Sequence, residues 1–197
     1  MYRQESMCIC GVIRLESDFV QLDIFLPDEI EHLKVMYEKY PKEFWARDFN
    51  LFNIYKCMIP RKMSVEDVDF FRGISNKIKQ RIDYKQDAAH YFLKYVKDSF
   101  TNVHIDNPKR IKRTAVTLLD ISADIIGGDT LLIKNIQDSD IGPGNQRPEG
   151  LQDRSNLRVP SIVKPKIGST LIYNHNVRHG VTKVEQGHRL VLISWFS

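Results

Sequence analysis

Successive side chains on a β-strand point to opposite faces, so residues two apart share one. The run His104-Ile105-Asp106 can therefore offer an imidazole and a carboxylate to the same metal ion. His179, followed by Gly180, supplies a second imidazole far downstream. Two histidines and one carboxylate on one face of an octahedron leave three positions open, the set that suits non-haem Fe(II) and oxygen chemistry. Zinc favours four closed ligands, or three ligands and one water. Arg189 lies ten residues beyond His179, and alternation places it with Val191, Ile193 and Trp195 on a mostly apolar face. A guanidinium heading such a face needs a partner. A bound carboxylate, which matches its planar fork bidentately, would supply one.

With six histidines in the chain, one His-x-Asp alone carries little weight. His175 and His179 are four apart and could share a helix face, but no H-E-x-x-H pattern surrounds them and the local signals are those of strands. His188 should point away from the face of Arg189, His32 falls on the polar side of a helix, and His90 has no motif beside it.

The elements that must position these residues change character along the chain. Pro27-Asp28 precedes Ile30, Leu33, Tyr37 and Tyr40 at helical spacing. Ser64-Val65-Glu66-Asp67 resembles a capping box, followed by Val68, Phe71, Ile74, Ile78 and Ile82 at spacings of three and four. From about residue 88 the period becomes two. His90–Val96, Val103–Asp106, Thr114–Leu119, Thr130–Ile133, Ser169–Tyr173, Gly180–Val184 and Arg189–Phe196 read as short strands. Many short strands separated by turn signals predict a sandwich or barrel. Residues 134–166 are rich in Gly, Pro and polar side chains and read as a long surface loop, with a brief strand around Val159–Val163.

The chain has 197 residues, 42% hydrophobic and 27% charged, which allows one sizeable core rather than two domains. We expect a single domain over 1–197, with helical support over about 1–87 and a β core over about 88–197. No apolar run is long enough for a membrane span, and the N-terminus lacks the pattern of a signal peptide. Cys8, Cys10 and Cys57 form no disulfide framework, and Cys8-x-Cys10 lacks a second pair to complete a zinc knuckle. A reducing, cytoplasmic or otherwise intracellular setting is the default expectation. The net charge of +4 is scattered except for Lys109-Arg110-Ile111-Lys112-Arg113, and one short run does not make a nucleic-acid surface.

Several motifs in order carry a family resemblance. These are His104-Ile105-Asp106, Gly127-Gly128-Asp129-Thr130, Pro165-Lys166-Ile167-Gly168 running to Tyr173, His179-Gly180, Gly187-His188-Arg189 and Ser194-Trp195-Phe196. Together they resemble the prolyl 4-hydroxylase-like branch of the 2-oxoglutarate/Fe(II) dioxygenases, over about Tyr95 to Ser197. The resemblance implies a mainly β fold with flanking helices, a double-stranded β-helix (jelly roll) packed by N-terminal helices. It implies Fe(II) on His104, Asp106 and His179, 2-oxoglutarate anchored by Arg189 with Tyr95 as a further hydrogen-bonding candidate, and O2 as the second cosubstrate. Ascorbate is compatible with such a site. Two positions depart from the family pattern: Asp98 replaces a glycine in the stretch that begins at Tyr95, and Leu118 replaces a tyrosine in Thr114–Asp120.

The implied reaction couples oxidative decarboxylation of 2-oxoglutarate, to succinate and CO2, with hydroxylation of a substrate. Asp106 is retained where halogenating relatives have lost the carboxylate. The resemblance points to a prolyl residue in a protein or peptide as substrate. A free amino acid or small metabolite is the near alternative, and a non-catalytic jelly-roll binding module is the distant one.

Overall fold

The structure is a computed structural model, and it describes residues 19–47, 50–60, 62–82, 84, 88–106, 111–133, 161–164 and 166–197. The Cys8-x-Cys10 pair, Lys109-Arg110 of the basic run and most of the expected 134–166 loop lie outside these residues. Among the described residues, no helix is long and apolar enough to cross a membrane.

Both expected helices are present. Helix α1 (Pro27–Lys39) starts on a proline whose fixed φ suits the first turn, and Glu29 Oε2 accepts the Leu26 amide at 2.9 Å. Helix α2 (Val65–Ile82) is capped by Ser64, whose hydroxyl accepts the Asp67 amide at 3.2 Å. Their buried faces are Ile30, Leu33, Met36 and Tyr37 on α1 and Phe71, Ile74, Ile78 and Ile82 on α2. Asp67 ties the two together by accepting from Lys39 and from the Tyr40 hydroxyl, each at 2.5 Å.

The strands are β1 (Phe19–Asp23), β2 (Glu43–Arg47), β3 (Leu51–Met58), β4 (Ala89–His104), β5 (Arg113–Ile121), β6 (Ile126–Gly127), β7 (Thr130–Ile133), β8 (Ser161–Val163), β9 (Ser169–Asn174), β10 (Arg178–Val181), β11 (Val184–Gln186) and β12 (Arg189–Phe196). A curled antiparallel sheet runs β1-β9-β5-β12-β4-β10-β7-β8, with the β2–β3 hairpin attached to β4, and β6 pairs with β11 separately. The fold is thus the mainly β jelly roll with flanking helices that the resemblance implied. The stretch expected as helical support is more mixed than the sequence suggests, because β1, β2 and β3 join the same sheet.

Alternation assigns the two faces of the sheet. Phe92, Ala115, Leu119, Ile172, Leu190, Leu192 and Phe196 meet the helices. Tyr91, Leu93, Tyr95, Leu118, Val191 and Ile193 turn to the opposite face, where a cavity of about 830 Å³ opens. Strand β4 serves both halves of the roll. Its first half pairs with β12 from Ala89 to Tyr95, and its last residues pair with β10 at Thr101 and His104. Between these segments Asp98 has φ +69°. Glycine adopts that conformation freely and aspartate tolerates it, so this bend suits an aspartate at a position where the resembling family has glycine. Lys183 holds the Asp98 carboxylate at 2.6 Å.

Candidate metal centre

His104 closes β4, and its Cα partner across the ladder is His179 on β10. That register places the two imidazoles side by side, with ring centroids 4.4 Å apart. The close approach depends on Gly180. A Cβ there would lie 2.8 Å from the Thr101 carbonyl oxygen and 3.1 Å from the Val103 nitrogen, so only glycine lets β10 meet β4 at this point.

The strand does not continue to Asp106, as alternation had suggested. Residues 105 and 106 follow it in irregular backbone. Asp106 reaches the histidines by a different route. Thr114, at the start of β5, donates its hydroxyl to Asp106 Oδ2, which leaves Oδ1 facing His104 Nε2 at 3.9 Å and His179 Nε2 at 3.8 Å.

The protonation pattern follows from the partners. His104 Nδ1 lies 2.8 Å from the Asn102 carbonyl oxygen, and His179 Nδ1 lies 3.0 Å from that of Val177. A carbonyl can only accept, so each Nδ1 carries the hydrogen and each Nε2 presents its lone pair. This second set of contacts fixes the tautomer and ring orientation that a metal ligand needs. Burial, and then the neighbouring His104, lowers the pKa of His179 to about 4. The three donor atoms lie within 4.8 Å of one another and form the candidate metal-ligating cluster among the described residues.

Arg189 heads β12, paired with Tyr95 on one side and Ile121 on the other. It is 3% exposed. Its Nη1 donates to the Gly128 carbonyl and to Thr130 Oγ1, the latter at 3.2 Å. The G-G-x-T stretch is therefore the cradle of this guanidinium. Among the described residues no carboxylate forms an ion pair with it, and Nε is buried without a hydrogen-bond partner. An unsatisfied buried donor on a cation is costly, and it marks where an anionic ligand would fit. The Tyr95 ring lies 5.2 Å from the guanidinium carbon, while its hydroxyl shares a hydrogen bond of 2.9 Å with Thr101. Burial raises the Tyr95 pKa, against the opposing effects of Arg189 and Thr101.

No family model matches the sequence, and no curated protein matches it. Solved structures do match in shape. A prolyl-4-hydroxylase from Pseudomonas putida is 17% identical, with a TM-score of 0.66 and 92% of each chain covered. An oxidoreductase of the 2OG-Fe(II) oxygenase family from Burkholderia pseudomallei is 17% identical, with a TM-score of 0.64, covering 92% of this chain and 85% of that one. HygX from Streptomyces hygroscopicus, bound to nickel, 2-oxoglutarate and hygromycin B, is 15% identical with a TM-score of 0.65, covering 90% and 82%. The chain has the fold of the 2OG-Fe(II) oxygenases.

On this fold all five residues singled out in the sequence line one cavity: His104, Asp106 and His179 with Arg189 and Tyr95. Sequence reasoning missed Thr114 and Tyr173. Tyr173 packs its ring 4.5 Å from that of His179 and is 2% exposed. Burial, reinforced by Asp106, raises its pKa well above the usual phenol value. The signal for both was the period of two, since Thr114 and Tyr173 are register partners on β5 and β9 and turn to the cavity face together. The remaining histidines lie elsewhere. His188 meets Asp120 at 2.9 Å, His90 bridges the hydroxyls of Ser75 and Ser194 at 2.8 Å each, His175 contacts the Lys112 carbonyl at 3.3 Å, and His32 stacks on Phe70.

Proposed function

We propose that the chain, acting as one domain, is a 2-oxoglutarate- and Fe(II)-dependent dioxygenase that hydroxylates its substrate. The observation that carries this reading is the pairing, in one cavity, of a preoriented His104–Asp106–His179 cluster with a buried arginine that has no carboxylate ion pair among the described residues. The first would hold Fe(II), because two neutral imidazoles and a carboxylate leave sites free for exogenous ligands. The second would pair with the far carboxylate of 2-oxoglutarate.

Fe(II), once bound with 2-oxoglutarate, supplies the oxygen activation that side chains cannot. The chain's own residues do the rest. Thr114 holds the Asp106 carboxylate in one orientation, the Asn102 and Val177 carbonyls hold the imidazoles, and Leu93, Val191 and Ile193 give the cavity an apolar wall. Tyr95 borders the Arg189 end and would supply a further contact there.

For the substrate we favour a prolyl residue in a protein or peptide, supported by the prolyl 4-hydroxylase-like motif set. A small molecule is the second reading, favoured by the likeness to HygX, whose structure holds hygromycin B. Anaerobic addition of Fe(II) and 2-oxoglutarate should produce a weak visible charge-transfer band. Arg189→Ala should raise the 2-oxoglutarate concentration needed for the band by at least tenfold while leaving Fe(II) affinity intact. No band in the wild type, together with unchanged iron affinity in His179→Ala, would remove the proposal.

A further inference from the structure

Among the described residues, the phenols lining the cavity are those of Tyr91, Tyr95 and Tyr173. The Tyr95 hydroxyl shares a hydrogen bond with Thr101, and the Tyr173 hydroxyl lies by that of Thr114. The Tyr91 hydroxyl has no hydrogen-bond partner among the described residues. The residue is nonetheless 7% exposed, and a buried polar group left unpaired is costly. Its ring is held in place. Trp195 meets it edge-on with centroids 4.7 Å apart, and the Lys56 ammonium lies 4.7 Å from its centroid. In the ladder Tyr91 stands between Ile193 on β12 and Met58 on β3.

Tyr91 is remote from the proposed cosubstrate anchor. Tyr91 and Tyr95 lie opposite Ile193 and Arg189, four residues apart on β12, which is roughly 13 Å of strand. The surface around Tyr91 is apolar. Alternation puts Ala89 and Leu93 on its own face of β4, with Trp195, Ile193 and Val191 opposite on β12, and all of them line the cavity. Burial, and then the charge of Asp106, raises the Tyr91 pKa well above the usual phenol value, so the group is a neutral O–H at neutral pH. A donor set in an apolar wall calls for an acceptor on an apolar ligand. A neutral carbonyl on such a ligand would satisfy the hydroxyl while the rest of the ligand covers the wall. We infer that Tyr91 is the specificity-determining contact of this region, donating its hydroxyl hydrogen to an amide carbonyl of the oxidised substrate.

The inference rests on the oxygenase reading for the word substrate, and two sources could provide the carbonyl: a peptide, or a small amide. A thiocarbonyl keeps the shape of an amide and accepts hydrogen bonds more weakly. The full chain, with Fe(II) and 2-oxoglutarate under anaerobic conditions, would therefore be titrated in a calorimeter with two amide–thioamide pairs. One pair is N-acetylpyrrolidine and N-thioacetylpyrrolidine. The other is the end-blocked peptide Ala-Pro-Ala and its counterpart in which the two carbonyls attached to the proline ring are thiocarbonyls.

The ratio of amide to thioamide affinity in the wild type is compared with that in Tyr91→Phe, which keeps the ring and removes the donor. The variant should lower the ratio at least threefold in one pair or both, by weakening the amide and leaving the thioamide within about twofold. The pair that responds identifies the source. A merely structural role for Tyr91 would weaken both members alike. Tyr91→Leu replaces Tyr91→Phe if the latter does not fold. A ratio unchanged by the folded variant in both pairs overturns the inference, as does the lack of saturable binding by either amide. Repeating the titrations without Fe(II) separates the two readings. A missing charge-transfer band with an intact Tyr91-dependent ratio removes the oxygenase and keeps the contact, and a normal band with no Tyr91 dependence does the opposite.

Discussion

At the scale of single residues, the site is organised by neutral donors as much as by its candidate ligands. Thr114 donates a hydrogen bond to Asp106 Oδ2 and thereby selects which carboxylate oxygen faces the histidines. Replacing it with valine keeps the volume and removes the donor. Partners of metal ligands commonly contribute roughly 10–100-fold to metal affinity, and Thr114→Val should weaken Fe(II) binding by an amount in that range in an anaerobic titration. Tyr173→Phe makes a useful comparison, because it removes a hydroxyl near Asp106 while leaving the ring against His179. Leu118 also finds its account at this scale. It is buried among Val191, Tyr95 and Leu93 on the cavity face, so an apolar contact stands where the resembling family carries a phenol.

At the scale of elements, the contact between β10 and β4 decides whether two histidines become one site. Gly180→Ala puts a methyl group 2.8 Å from the Thr101 carbonyl oxygen, and β10 must lift away to accommodate it. We expect a loss of about 2 kcal/mol or more in urea unfolding, together with weaker Fe(II) binding. Gly73→Ala is the contrasting case. It sits within α2 with nothing within 4 Å of the added methyl, and should stabilise the protein by about 0.5–1 kcal/mol through helix propensity.

The same scale shows what the sequence could and could not reveal. Helix α2 was legible because a cap and an apolar stripe coincide, and β12 because a largely apolar run follows the turn signal at Gly187. His104, His179 and Arg189 were legible because motif order accompanies them. The β2–β3 hairpin was not. Glu43–Arg47 is exposed at every position but Trp45, so no alternation of burial separates its faces, and Lys56 and Trp45 show no relation in sequence to the cavity they line. Alternation places Asp106 on a strand face beside His104, whereas Asp106 lies beyond β4 and Thr114 orients its carboxylate.

At the scale of the molecule, the buried histidine makes stability depend on pH. In the folded, metal-free protein His179 binds its proton only near pH 4, whereas its unfolded value is near 6.5. Between these values the unfolded chain holds more protons, so stability rises with pH and acidification favours unfolding. The loss should begin as the pH falls below about 6.5 and build toward pH 4, reaching up to about 3 kcal/mol. Melting curves of metal-free protein at pH 7 and pH 5 test this. The pH dependence should flatten in His179→Gln, and an unchanged dependence would assign the effect to other groups.

One strand then sets how the whole site can open. Tyr91, Tyr95 and His104 all belong to β4, whose sixteen residues are hydrogen-bonded to β3, β10 and β12. A transient separation that frees His104 must also loosen the segment beside Arg189, because both are stitched into the same ladder. Amide hydrogen exchange along β4 should therefore proceed as one cooperative unit. A metal ion captured at its C-terminal end should slow exchange as far back as Tyr91, a protection carried by backbone connectivity to amides the ion never touches.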